Sequence, residues 1–419
     1  MNKITSAQLM STRVVFHGWF TFMHFQNFTV FKSLIILTFC STFSVYSFAE
    51  SDVEPRFFIR AETSHYFLQT INNSTDHNVN SWQHFRVAPT SDNQLFLRMD
   101  RDTIYSTAVI DTEGGATIAF PDFGNRDVTV QFIDENHQTQ RLTRLTKGPN
   151  VVDVPQTTKY SFVLVRIFYP AQVNKKGLND VNHLQDKFLI QASSSDSYKT
   201  YSHSEFNSSD VHLKLWRQEV LNEVTPKNFR NIEHIFGAAD ATSSEQRLFG
   251  SVYGWGGAPY QDRVYQYSQD FDASMCRTVT MKPPNNSGYW SATVYNEDGM
   301  LFNDDAYINS NSAVKNGDGT FTLSFGCEDT KHQRNNLSLA GLNTDRWNVL
   351  IRSYSIESKV KSLSSEHRNP FVFEKINACK ISRLRKATAW VMTSWIPMNT
   401  AMVWIYFKTK ETFCEMNIA

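Results

Sequence analysis

The sequence predicts a mainly β protein built from two antiparallel β-sandwiches, the second jelly-roll-like, joined by a helical segment. Three observations carry this reading. Tyr289 to Tyr295 is dense in β-branched and aromatic residues and runs into Asp298-Gly299, a pair suited to a turn that needs positive φ. A second turn signal, Asn316-Gly317-Asp318-Gly319, precedes Phe321 to Phe325, whose Phe, Leu and Phe alternate onto one face. Short strand-like runs separated by Gly, Asn, Asp and Pro recur between Gln94 and Tyr169, the spacing of a small sandwich.

Residues 1–49 read as a signal peptide: Lys32 is followed by the uncharged stretch Leu34 to Phe48, and the small residues Ser47 and Ala49 suit a cleavage site. Met23 would begin a leader of ordinary size and is the expected working start; an uncleaved anchor is the alternative on the same residues. Export to the periplasm or the extracellular space follows.

The small sandwich is assigned to 50–170. Phe57, Ala61, Ser64, Tyr66, Phe67 and Ile71 suggest a short first helix, and strands are expected at Thr103 to Ile110, Ala116 to Phe120, Asp127 to Ile133, Asn150 to Val154 and Tyr160 to Phe168. Residues 171–248 form the helical linking segment. One helix carries Leu178, Val181, Leu184 and Phe188; the second opens on the cap Asp210 and carries Leu213, Trp216, Val220 and Leu221, with Ser193 to Ser197 loosely joining the two. The β pattern returns after Phe249, giving the larger sandwich at 249–356, and 357–419 is a divergent tail. Within that tail 387–407 is uncharged and about as long as a membrane span, but Thr, Ser, Asn and Pro dilute it, so a membrane tether is not favoured over a packed terminal helix.

With 41 basic and 41 acidic residues the chain has no charge excess for nucleic acid, while 41% apolar and 14% aromatic residues suffice for real cores. No spacing completes a metal set and no cofactor motif is present. Beyond the leader, Cys276 and Cys327 both fall in strand-like segments of one region; a disulfide between them and buried free thiols are both open.

Chemistry-bearing residues concentrate in Arg98-Met99-Asp100-Arg101-Asp102-Thr103-Ile104-Tyr105-Ser106. Arg98 or Arg101 could hold an anionic group bidentately, with Tyr105 donating a hydrogen bond; the alternative is structural, Arg101 and Asp102 tying the strand to a neighbouring loop. Asp134, three residues before His137, could orient an imidazole for acid-base work. Catalytic candidates are thus Asp102, Asp134 and His137. Tyr253 to Pro259 is Gly-rich but lacks the Lys of a phosphate loop, so it reads as a turn beside Trp255. Trp255, Tyr260, Tyr289, Trp290 and Tyr295 could stack on sugar rings or apolar ligands.

The RMDRDTIYS run, the IDENH turn, the YGWGG segment, and the GYWSATVYNEDG and NGDGTFTLSFGC hairpins together resemble the tandem families DUF1254 and DUF1214, over about Trp82 to Tyr354. The resemblance implies a small N-terminal β-sandwich, a helical link and a jelly-roll-like C-terminal sandwich in an exported bacterial protein, and brings no activity with it. Asp100 stands where the pattern usually has Asn, 335–339 lacks an expected Trp or Pro, and the usual ending beyond Tyr354 is missing, which would leave the second sandwich a strand short. Three functions are expected to compete: a ligand-binding or assembly module taking a small molecule or glycan, with homo-oligomers open; a hydrolase using Arg101, Asp102, Tyr105, Asp134 and His137; and a membrane-tethered structural protein.

Overall fold

The computed structural model describes residues 55–170, 175–204, 206–223, 235–259, 263–282, 289–327 and 334–354. The signal-peptide, Met23 and C-terminal-tail expectations lie outside these residues, as does Tyr260. In chain order the elements are α1 (Pro55–Asn73), β1 (Trp82–His84), β2 (Thr103–Asp111), β3 (Ala116–Phe120), β4 (Val128–Asp134), β5 (Thr139–Arg144), β6 (Asn150–Asp153) and β7 (Tyr160–Phe168). There follow α2 (Lys175–Gln185), β8 (Leu189–Ala192), α3 (Asp210–Glu223) and α4 (Ser244–Gly254). The C-terminal half comprises β9 (Arg263–Tyr267), β10 (Phe271–Asp272), β11 (Arg277–Met281), β12 (Trp290–Asn296), β13 (Tyr307–Asn309), β14 (Phe321–Phe325), β15 (Asn336–Leu337) and β16 (Arg346–Tyr354).

Alternation along β2 and β7 builds the first sandwich. Ile104, Ala108 and Ile110, with Val163, Val165 and Ile167, face a core shared with Ile118, Phe120 and Phe188; Tyr105, Val109, Phe162 and Leu164 face the opposite way, onto Tyr66 and Phe67 of α1 and onto Trp255. The main sheet runs β1-β2-β7-β4-β5 and the covering sheet β6-β3-β8, all pairs antiparallel. Both faces of β2 are buried, so its polar residues Thr103, Ser106, Thr107 and Asp111 are enclosed along with its apolar ones.

The first half of α1 turns to the helices: Phe58 and Ala61 pack with Leu213 and Val220 of α3 and Val252 of α4. Beneath them the fully buried Glu62 accepts from Arg217 of α3 at 2.6 and 3.1 Å. Burial pushes the Glu62 carboxyl up despite that guanidinium. α4 begins with a reciprocal cap, Ser243 Oγ accepting from Gln246 N while Gln246 Oε1 accepts from Ser243 N. This helix runs on to Gly254, five residues past Phe249, where the β pattern was expected to resume. The serine stretch is not loose either. β8 pairs with β3, Ser193 N donates to Gly115 O, and Ser194 Oγ and Asp196 N both donate to the buried Asp111 carboxylate.

In the second half, β10-β16-β12-β13, with β9 following β10 along the same edge of β16, faces the smaller sheet β11-β14-β15. Trp290, Ala292 and Val294 of β12 and Trp347, Val349 and Ile351 of β16 meet Val279, Met281, Leu323 and Phe325 in the core. Ser291, Thr293 and Tyr295, and Leu350, Arg352 and Tyr354, point the other way, toward the first sandwich. Cys276 and Cys327 are joined by a disulfide beside the β11–β14 pair, across a separation of 51 residues. A loop of that length constrains the unfolded chain by about 4 kcal/mol. Cys327→Ser, compared with the parent by urea unfolding under non-reducing conditions, should lose stability of that order, and reduction should remove the difference; equal midpoints before reduction would refute the stabilising role.

Candidate functional site

The segment Arg98 to Asp102 enters β2 from a turn wedged between the two sandwiches. Arg98 has φ +56°, a region that costs a residue with a Cβ about 1–3 kcal/mol unless its surroundings over-determine it. They do. Its N–H donates to Gly299 O at 2.7 Å, its carbonyl accepts from Arg352 Nη2, its Nη1 donates to Tyr253 O at 2.6 Å and its Nη2 reaches Asn348 Oδ1 at 3.5 Å. Tyr295 Oη donates to the next carbonyl, Met99 O, at 2.8 Å. Gly299, the turn glycine, has φ +81°, and a Cβ there would lie 2.7 Å from Arg98 Nη1. Backbone and space therefore both require glycine at this position.

Asp102 is fully buried and accepts from Tyr289 Oη at 2.6 Å, from Tyr307 Oη and from Tyr354 Oη at 3.3 Å. No cation pairs with it among the described residues. Asp100 takes a second bond from Tyr354 Oη at 2.5 Å and closes its own turn through Asp102 N at 2.9 Å. Burial, followed by the adjacent Asp100 charge, raises the Asp102 carboxyl to about 6.

On the other side of Asp100 lies a cavity with about 40 Å³ open to water, room for about three molecules. Arg98, Arg166, Arg263 and Arg352 line it, all at most 7% exposed. Arg166 projects from β7, Nη1 donating to Gln131 Oε1 at 2.6 Å and Nη2 to Gly256 O. Arg263, from β9, has Asp127 at 3.8 Å and lies over the Tyr354 ring. Arg352, from β16, has its Nε 4.0 Å from Asp100, and its Nη1 has no hydrogen-bond partner among the described residues. Burial works against this guanidinium, but the surrounding tyrosines and Asp100 hold it fully protonated.

Of the residues expected from sequence, Arg98, Tyr105 and Trp255 line the cavity, Tyr105 Oη accepting from Asp100 N at 3.1 Å. Arg101 instead donates to Pro89 O at 2.8 Å and pairs with Asp304 of the second sandwich. Asp134 does not orient His137. Its carboxylate is consumed by Asn136 N, Gln138 N and Gln140 Nε2 of its own turn. The His137 ring stacks on Trp255 at 5.2 Å and accepts from Gly256 N at 3.0 Å, and burial drives its pKa down to about 3, so it stays neutral. Asp102 and His137 share no partner, and neither lines the cavity.

The aromatic residues are not loop platforms. Trp255, Trp290 and Tyr295 are at most 2% exposed, and Trp255 is already enclosed by Tyr66, Phe96, Phe162 and His137, so none offers a face to a sugar ring. Tyr289 serves Asp102. Sequence reasoning missed Arg166, Arg263, Arg352, Tyr307 and Tyr354.

Fold and seam define a two-sandwich protein whose halves share one polar interface. Residues 79–149 match the family DUF1254 and residues 266–358 match the family DUF1214, in that order along the chain, both families of unknown function. Among solved structures it is similar to a protein from Vibrio parahaemolyticus, at 15% identity over 73% of this chain and 96% of that one, with a TM-score of 0.46. An uncharacterised protein from Burkholderia cenocepacia matches at 12% identity over 71% of this chain and 84% of that one, with a TM-score of 0.42. A comparison with curated proteins gives no match.

Two outcomes follow from this geometry. A group whose folded pKa is raised favours folding below its unfolded value and loses that contribution as pH rises through the folded one. Relative to Asp102→Asn, the parent should therefore lose about 3 kcal/mol of stability between pH 4 and pH 7, two pKa units at about 1.4 kcal/mol each. Parallel urea-unfolding stabilities across that range would disprove the shift. Gly299→Ala should cost about 1–2 kcal/mol from backbone strain alone, and more through displaced Arg98; an unchanged melting temperature would show that the turn has slack.

Proposed function

We propose that the protein is an exported ligand-binding module, periplasmic or at the cell surface, which holds a small polar molecule at the seam between its sandwiches. The observation that carries this reading is the cavity whose buried guanidiniums come from both halves, Arg98 and Arg166 from the first and Arg263 and Arg352 from the second. Buried charges are costly and belong with a partner or a function. Export is supported by the leader-like stretch at 1–49 and by the Cys276–Cys327 disulfide, which a reducing cytosol would not maintain. The ligand is not a glycan stacked on aromatic platforms, because those rings are enclosed. A hydrolase is less well supported, since Asp102 and His137 have no common neighbour. No helix among the described residues is long and apolar enough to cross a membrane.

A thermal-shift screen of the full chain against carboxylates, phosphates, amines and neutral sugars tests the reading. At a hundredfold excess over Kd a true ligand should raise the melting temperature by about 5 °C. Gly254→Ala, whose added methyl meets Tyr267 Oη at an ordinary 3.6 Å in the cavity wall, should weaken that ligand several-fold. Loss of the reading would follow from no shift in any class, or from equal shifts in the variant.

A further inference from the structure

Building on the seam as a ligand site, we infer that its ligand class is the small oxyanion: a short carboxylate, or a sulfate- or phosphate-type ion, bound among Arg98, Arg166 and Arg352. The charge balance is the first reason. Four guanidiniums line the cavity against the single lining carboxylate of Asp100. Asp100 lies 4.0 Å from Arg352 and Asp127 lies 3.8 Å from Arg263, whereas Arg98 and Arg166 have no carboxylate partner among the described residues. Backbone carbonyls satisfy part of their hydrogen-bonding capacity but supply no net charge, and cations buried without a counter-charge are strongly disfavoured.

Unused donors are the second reason. Arg352 is 3% exposed, and its Nη1 carries N–H groups with no acceptor among the described residues; Arg98 Nε is likewise buried and unbonded. These unbonded donors belong to residues that line the cavity, where a small turn of either side chain would bring them to an acceptor, and the guanidinium fork matches carboxylate and phosphate oxygens in particular. Size is the third. Space equivalent to about three waters accommodates an ion of about four or five heavy atoms and excludes a nucleotide or a disaccharide. A cation would meet four like charges, and a neutral ligand would leave Arg98 and Arg166 without a counter-charge.

The test is calorimetric titration of the full chain in low-salt, chloride-free buffer with acetate, sulfate and phosphate, and with acetamide and methylammonium as neutral and cationic counterparts. At least one oxyanion should bind with one-to-one stoichiometry, at least tenfold more tightly than acetamide, and at least tenfold more weakly to Arg352→Met. Equal binding of acetate and acetamide, or ligands of another class binding in a Gly254-sensitive way while oxyanions do not, would overturn the oxyanion inference and leave the seam reading standing. Oxyanion binding untouched by both Arg352→Met and Gly254→Ala would place the anion elsewhere and overturn the inference. Binding by no ligand class would end both. Should Arg352→Met not fold, selenate on the parent protein decides: an anomalous peak among the three arginines in a soaked crystal supports the inference, and an empty cavity under saturating selenate refutes it.

Discussion

A guanidinium removed from water must find acceptors that stay in place, and this requirement governs the centre of the molecule. Arg98, Arg166 and Arg352 each donate to a carbonyl of a distant segment: Tyr253, Gly256 and Arg98 itself. The three bonds bind β7 of the first sandwich, β16 of the second, the 253–257 turn and the segment before β2 into one lattice. Most polar atoms of Arg98 and Met99 are satisfied by the second half of the chain: Gly299 O, Asn348, Arg352 and Tyr295. Without that half, the left-handed backbone at Arg98 would lose the bonds that hold it. The DUF1254 and DUF1214 regions of this chain are thus interdependent at the level of individual hydrogen bonds.

Two polar centres meet at Asp100 and Tyr354 and differ in character. On one side Asp102 is surrounded by tyrosine hydroxyls and retains its proton more firmly than an exposed carboxyl would. On the other, guanidiniums crowd a cavity that has little negative charge of its own. Tyr354 Oη, bonded to both aspartates, and its ring, beneath Arg263, stand between them. A charge arriving in the cavity would act most strongly on Asp100, which lines it, and more weakly on Asp102 behind it, since the low effective dielectric of a water-poor interior preserves such couplings over short distances.

The sequence made β2, β3, β7 and β14 legible to within a residue, because period-two alternation and flanking turn residues both mark them. β5 was not visible: Thr-Gln-Arg-Leu-Thr-Arg is a half-exposed edge strand without an apolar face. β8 was hidden for a similar reason, with Leu189 61% exposed at an edge. The end of α4 was misplaced although Ser243 and Gln246 spell a capping box, since the glycines after Phe249 outweighed it. At the site, the Arg98 to Tyr105 cluster stood out as a run of charge. Arg166 and Arg352 are far off in sequence, yet each is the single charged residue in the apolar body of a long strand, Phe-Val-Leu-Val-Arg-Ile-Phe and Val-Leu-Ile-Arg-Ser-Tyr. A guanidinium in such a strand must be buried with its partners, and that signal was there to read. Spacing misled at Asp134 and His137 because it fixes proximity along the chain but not where a carboxylate points.

Asp100 shows how one residue sets the balance of the seam. An Asn, which the family resemblance leads one to expect there, could still accept from Asp102 N through Oδ1, while its amide nitrogen would stand where Oδ2 accepts from Tyr354 Oη and Thr103 Oγ1, so those two bonds would reverse, the nitrogen donating to the hydroxyl oxygens. What the carboxylate adds is charge. It lies 4.0 Å from Arg352, lowering the net positive charge around the cavity by one, and it repels the Asp102 carboxylate, making that group harder to ionise. With Asn in its place the geometry could persist while the cavity became more cationic and Asp102 more acidic. The electrostatics of the two centres are therefore coupled through position 100 rather than set independently, and an anion in the cavity competes with this aspartate for the same Arg352 guanidinium.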